Sequence, residues 1–128
     1  MRRRRESTRP SKGADPETFL PLPHLPFHVL LALAEKPRHG WAIIRTIREI
    51  TSGRDNPSSG SLYLAMSRLV ERGLIEEAPG AGVATDTSGR RKTYRLTELG
   101  REVLEAETAR LATLVRLSEG FSTGGKKR

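Results

Sequence analysis

The sequence predicts a mainly α-helical domain with one small β-hairpin, an α+β arrangement. Three segments with apolar residues at helical spacing come first, between about residues 26 and 73. Two short, alternating segments separated by a glycine-bearing loop follow them, and a longer helical pattern comes last. A chain of 128 residues with 35% apolar content has room for one domain with a modest core.

The first two helices carry start and stop signals. We expect the first helix over about residues 26–35, because the missing N–H of Pro26 costs nothing in a first turn. The second is predicted over about residues 39–51, with Gly53 as its C-terminal cap. Its apolar stripe consists of Ile43, Ile44, Ile47 and Ile50.

The third helix follows a short polar turn. A side-chain oxygen of Ser58 or Ser59 can cap its first turn, and Gly73 closes it. The residues predicted to face the core are Leu62, Ala65, Met66 and Leu69.

The hairpin and the last helix complete the domain. Residues 74–78 and 92–96 read as antiparallel strands joined by a flexible loop. Thr97 fits the helix-start rule for a helix that runs to about Leu117, and Gly100 is an ill-fitting but tolerated interior residue.

Composition divides the chain into four regions. Residues 1–18 read as a disordered basic arm, 19–97 as a domain, 98–118 as a helix outside it and 119–128 as a flexible basic tail. The net charge of +8 is concentrated in the arm and the tail, while residues 18–125 carry only +2. Basic tails indicate a polyanionic partner but do not separate nucleic acid from an anionic membrane surface.

Several classes of function are excluded. The chain contains no cysteine, so disulfides and thiolate metal sites are ruled out, and a cytoplasmic location is expected. Its longest apolar run, residues 29–34, is too short to span a membrane, and no export signal follows the N-terminal arginines. An enzyme is not expected, because the sequence contains no phosphate loop, no nucleophile elbow and no carboxylate pair near a histidine.

No cofactor or metal is predicted. His24 and His28 stand four residues apart and could share a helix face as a metal pair. Because His24 precedes Pro26, we expect it to lie outside the first helix, and no third ligand is apparent nearby.

Three short helices, a hairpin and one long helix match a winged helix-turn-helix, in which the third helix enters the DNA major groove. Three blocks are also similar to the PadR family of transcriptional regulators. They are residues 30–41 (LLALAEKPRHGW), 59–75 (SGSLY to RGLI) and 89–100 (GRRKTYRLTELG). Trp41 stands at the family's usual tyrosine and is expected in the core, with ligand stacking as the alternative. Leu64 and Ser59 stand where the family often has proline.

The resemblance implies that the third helix and the hairpin with its loop (residues 74–96, the wing) bind DNA. We expect side chains opposite the apolar stripe of that helix, or at its N-terminal end, to contact phosphates and base edges. The predicted contacts on this helix are Ser59, Ser61, Tyr63, Ser67 and Arg68. Those in the wing are Arg90, Arg91 and Lys92. The alternatives are a solvated helix face and a solubilising turn.

The last helix has more apolar residues than one packed face requires. Leu99, Val103 and Ala106 can pack on the domain. The residues left for a second face, the predicted dimer interface, are Leu104, Leu111, Leu114 and Val115. The alternative is a helix folded back on its own domain.

Together these features predict a sequence-specific regulator that binds double-stranded DNA as a homodimer. The resemblance implies a repressor of the short-tailed branch, on a near-palindromic operator, without a separate ligand domain. A small-molecule effector at the dimer interface stays open, and no membrane is expected. The alternative function is a winged-helix module that binds protein or RNA, or bridges DNA without operator specificity.

Overall fold

The computed structural model describes residues 14–78 and 92–125. These residues form four α-helices and a small antiparallel sheet, as predicted for a winged helix-turn-helix, with a third strand and a 3-10 helix that the prediction did not include. In chain order they are the 3-10 helix Pro16–Phe19, α1 His24–Ala34, β1 Arg38–His39, α2 Gly40–Ile50, α3 Ser59–Glu71, β2 Ile75–Glu77, β3 Thr93–Leu96 and α4 Glu98–Gly125. No helix in this part of the chain is long and apolar enough to cross a membrane.

The sheet has the order β1-β3-β2. In the predicted hairpin, Ile75 pairs with Leu96 and Glu77 with Tyr94. The strand β1 was not predicted, because two residues are too few to show an alternating pattern. Its residue His39 pairs with Thr93 of β3 and so joins the start of α2 to the wing.

One core is shared by all four helices and the hairpin. α1, α2 and α3 bury their apolar faces against each other, and the first turns of α4 close the cluster. Its fully buried large side chains include Leu30, Ile43, Ile47, Leu62, Met66, Leu74, Ile75 and Val103. At about 1.5–3 kcal/mol for each buried side chain, this cluster is the main stabilising contribution to the fold.

Several helix ends differ from the prediction. α1 begins at His24, two residues before Pro26, and α4 continues to Gly125. After α2, Ser52 joins the predicted Gly53 in the left-handed region, with φ of 55° and 81°. The Gly53 amide then donates to the carbonyl of Arg48 over 2.7 Å, which satisfies one of the last helical carbonyls.

The start of α4 lies against the turn that follows α3. The Thr97 hydroxyl accepts from the Gly100 amide at 2.9 Å, as an N-cap does, and donates to the carbonyl of Gly73 at 2.6 Å. A Cβ on Gly100 would overlap the carbonyl oxygen of Leu74. The glycine that looked ill-fitting in the sequence is therefore required by a close backbone approach.

Candidate nucleic-acid interface

The exposed side of α3 carries four of the five contact residues predicted on this helix. Ser59, Ser61, Ser67 and Arg68 are all exposed, whereas Leu62, Met66 and Leu69 on the other side are buried. Among the described residues, no carboxylate pairs with the Arg68 guanidinium, so its charge is available to an outside acceptor. A cation and several hydroxyl groups on one helix face suit phosphates and the edges of bases.

The N-terminus of α3 is capped by Ser58, one of the two serines predicted for this role. The Ser58 hydroxyl oxygen accepts from the Ser61 amide at 3.1 Å and lies 3.1 Å from the Ser61 hydroxyl. The amides of Ser59 and Gly60 belong to the first turn, where a helix offers them no acceptor of its own. This exposed end therefore favours an anion such as a phosphate.

We expected Tyr63 to project from the face opposite the apolar stripe, but the structure places it elsewhere. Its side chain is half-buried beside the core, and a Cβ on Gly40 would overlap its hydroxyl and ring. One residue along a helix is a rotation of about 100°, which places Tyr63 next to buried Leu62, at the edge of the stripe. Tyr63 therefore fixes the start of α2 against α3.

A cleft of about 260 Å³ separates α3 from the wing. Tyr63 and Ser67 line it from α3, and Lys92 and Tyr94 line it from the hairpin. Burial is the main reason that the pKa of the Tyr94 phenol is raised above its ordinary value. At neutral pH the Tyr94 side chain in this wall is therefore uncharged.

The base of the wing is charge-balanced. Lys92 Nζ lies 3.0 Å from a carboxylate oxygen of Glu77, and Arg95 Nε lies 2.9 Å from one of Glu76. The hydrogen bond to Glu77 raises the pKa of Lys92. The other two predicted wing contacts, Arg90 and Arg91, lie outside the described residues.

Trp41 is on the surface, and the prediction that it packs in the core is wrong. The side chain is 50% exposed and lies between the His39 ring, at a centroid distance of 6.0 Å, and the Arg45 guanidinium, at 5.3 Å. Arg45 is four residues later, one helical turn away, on the polar side of α2. That spacing is the signal in the sequence that could have placed Trp41 outside.

The predicted dimer residues fall into two groups. Leu104 is buried in the core of its own chain, so the part of the prediction that put it on a second face is wrong. Leu111 is half-buried, and Leu114 and Val115 are 47% and 52% exposed. Two further exposed apolar residues that the prediction missed, Leu117 and Phe121, continue this face.

His24 lies inside α1, contrary to the prediction, and its ring stacks on that of His28 at 6.2 Å. The Nδ1 of His28 is 2.6 Å from a carboxylate oxygen of Asp55. Within residues 14–78 and 92–125, no group of three or more His, Asp or Glu side chains could hold a metal ion. The contact between His28 and Asp55 therefore links α1 to the turn after α2.

Comparison with known proteins points to one family. Residues 29–106 match the transcriptional regulator PadR-like family. Over 86 residues the chain is 38% identical to an uncharacterised 37.1 kDa protein in transposon TN4556 of Streptomyces fradiae, and the match covers 67% of this chain but only 22% of that protein. The second relative, protein X of Lysinibacillus sphaericus, is 29% identical over 101 residues, which are 79% of this chain and 90% of that one.

Solved structures with this fold include regulators of the same family. A PadR family transcription regulator from Clostridium difficile R20291 has a TM-score of 0.63 and 25% identity over 77% of this chain and 98% of its own. Bacillus subtilis PadR, solved in complex with operator DNA, has a TM-score of 0.56 and 21% identity over 67% of this chain and 46% of its own.

Proposed function

The chain belongs to the PadR-like family of transcriptional regulators, and from that premise we propose that it is a homodimeric repressor that binds a near-palindromic operator. The observation that carries the proposal is the exposed side of α3. It presents a capped, hydroxyl-rich N-terminus and the unpaired guanidinium of Arg68 on the helix that a winged helix inserts into the major groove. Bacillus subtilis PadR, a protein of similar fold, was solved with its operator DNA.

We assign a role to each contact. The amides of Ser59 and Gly60 receive a phosphate, with the Ser59 and Ser61 hydroxyls beside them, and Ser67 and Arg68 reach base edges. Tyr63 supports α3 through its contact with Gly40 and borders the cleft that faces the wing.

In the wing, Arg90 and Arg91 contact the phosphate backbone. Lys92 contributes less than either arginine, because Glu77 already holds its ammonium group. The wing thus adds affinity, whereas α3 supplies the choice of sequence.

The exposed apolar face of α4 supports the dimer. Leu111, Leu114 and Val115 lie beyond the part of α4 that packs in the core. A two-fold axis through this face would bury it and set two α3 helices about one DNA turn apart. A small-molecule effector would act at this interface by binding one spacing of the two α3 helices more tightly than another. Because the proposed partner is DNA, we expect the protein in the cytoplasm.

The test is binding to the promoter region next to its own coding sequence against random duplex at physiological salt. We expect a preference of at least about 10³-fold and a footprint with two half-sites. A preference below about tenfold would contradict the operator model and favour a module that bridges DNA, or binds RNA or protein, without operator specificity.

A further inference from the structure

Leu64 is an apolar side chain in the middle of the exposed face of α3. It is 55% exposed, and the core does not use it, since Leu62, Met66 and Leu69 fill the buried side of the helix. On the helix, Gly60 lies one turn before Leu64 and Arg68 one turn after it. Leu64 therefore stands at the centre of the surface that the proposed function places in the major groove.

The neighbours of Leu64 on this face have small side chains that do not rise above it. Nothing lies within 4 Å of the position that a Cβ on Gly60 would take. Ser61 and Ser67, on either side, have short side chains and are exposed. A flat object that approaches α3 from outside can thus contact the Leu64 side chain directly.

We propose that Leu64 is a specificity-determining residue that contacts the 5-methyl group of a thymine in each half-site. This inference rests on the proposed function. In the major groove the thymine methyl is the one apolar feature of an unmodified base pair, whereas the other edges present donors and acceptors. Leucine placed against those groups would remove their water without replacing the hydrogen bonds, which is unfavourable.

A protein contact is the competing role for this side chain. Leu64 also borders a groove of about 540 Å³ whose other wall, at the start of α1, includes Leu22 and Leu25. Ser61 and Arg68 line this groove as well, so it reaches the outer face of α3. Leu64 is nevertheless two residues, a rotation of about 200°, from buried Leu62, so it lies almost opposite the core. This central position favours DNA.

The test uses the footprinted operator with each thymine replaced singly by uracil, which removes the methyl and leaves the hydrogen-bonding groups unchanged. At one position in each half-site, we expect the replacement to weaken binding by the wild-type protein about fourfold, the value of one buried methyl. The Leu64→Ala variant should bind thymine and uracil equally there. The matched variant Val70→Ala truncates another exposed apolar side chain of α3, outside the assigned contacts, and should keep the preference for thymine.

Each other outcome is decisive. If the protein prefers its operator but Leu64→Ala leaves every thymine-to-uracil ratio unchanged, the inference is overturned and the proposed function stands. If that unchanged ratio is accompanied by a weaker dimer in sedimentation, Leu64 belongs to a protein interface. If the protein shows no preference for any duplex, the proposed function fails, and the inference fails with it.

Discussion

The carboxylate of Glu107 in α4 accepts a hydrogen bond from the backbone amide of Leu22, 85 residues earlier in the chain, over 3.0 Å. The Glu107 side chain is 2% exposed and also receives two hydrogen bonds from the Arg110 guanidinium, at 2.7 and 2.9 Å. One buried carboxylate thus ties the segment before α1 to the last helix.

Removal of this carboxylate should loosen the segment before α1. We expect Glu107→Ala to lower the free energy of unfolding by about 1–3 kcal/mol, because the Leu22 amide loses its acceptor. The matched variant Glu105→Ala, on the exposed side of α4, should stay within about 0.5 kcal/mol of wild type. Urea unfolding measures both, and equal losses would show that the buried carboxylate adds nothing specific.

Glu107 should also give the fold an acid-sensitive contribution. The hydrogen bond from Arg110 holds the pKa of the Glu107 carboxyl below its ordinary value of 4.5. Because the pKa is lower in the folded state, the stabilisation is complete above the ordinary value and is lost as the pH falls through the folded value. Between about pH 6 and about pH 3, wild type should therefore lose more stability than Glu107→Gln. Parallel curves from urea unfolding would show that the carboxyl does not contribute.

The contact between Tyr63 and Gly40 should tolerate no added methyl group. Gly40→Ala should destabilise the protein by about 1–3 kcal/mol, because the new Cβ overlaps the Tyr63 ring. Gly60→Ala, where the Cβ meets nothing within 4 Å, should be neutral or stabilising. In thermal unfolding, the double variant Gly40→Ala/Tyr63→Ala should cost less than the sum of its single variants, and strict additivity would refute the overlap.

The ion pair at the base of the wing should limit the contribution of Lys92 to DNA binding. Arg91→Ala should reduce the salt-dependence slope by about 0.9, and Lys92→Ala should reduce it by less. Glu77→Gln should strengthen binding, since it releases the Lys92 ammonium group. Glu76→Gln makes the same charge change at the neighbouring strand position, where the partner is Arg95. If the two glutamine variants gain equally in binding titrations at several salt concentrations, only net charge matters.

The dimer should depend on the apolar face of α4 beyond the core. Leu114→Glu should give folded monomers in sedimentation velocity, because it places a charge in the proposed interface. Ala112→Glu, on the other side of the helix, should leave the dimer intact. Leu104→Glu should instead unfold the domain, a loss visible in circular dichroism, since Leu104 is in the core. A dimeric Leu114→Glu protein would place the interface elsewhere.

The helices and the hairpin could be predicted from the sequence because their apolar residues repeat at regular spacing. Side chains at the edge of a stripe could not be placed in this way. Trp41 and Leu104 are both apolar, but α2 needs only Ile43 and Ile47 against α1, whereas α4 needs Leu104 to close the core. The Tyr63 ring fits where it does because Gly40 has no side chain, and the spacing of apolar residues carries no information about such a contact.

The tight junction at Thr97, Gly100 and Leu74 has a geometric consequence for operator choice. With the backbone of α4 against the end of α3, the angle between these helices is fixed within each protomer. In the proposed dimer, only the crossing of the two α4 helices can then adjust the reach between half-sites. One inserted base pair turns a half-site by about 34° around the DNA axis. For a given crossing of the α4 helices, the dimer would therefore reject sites that have the right bases in each half-site but the wrong spacing between them.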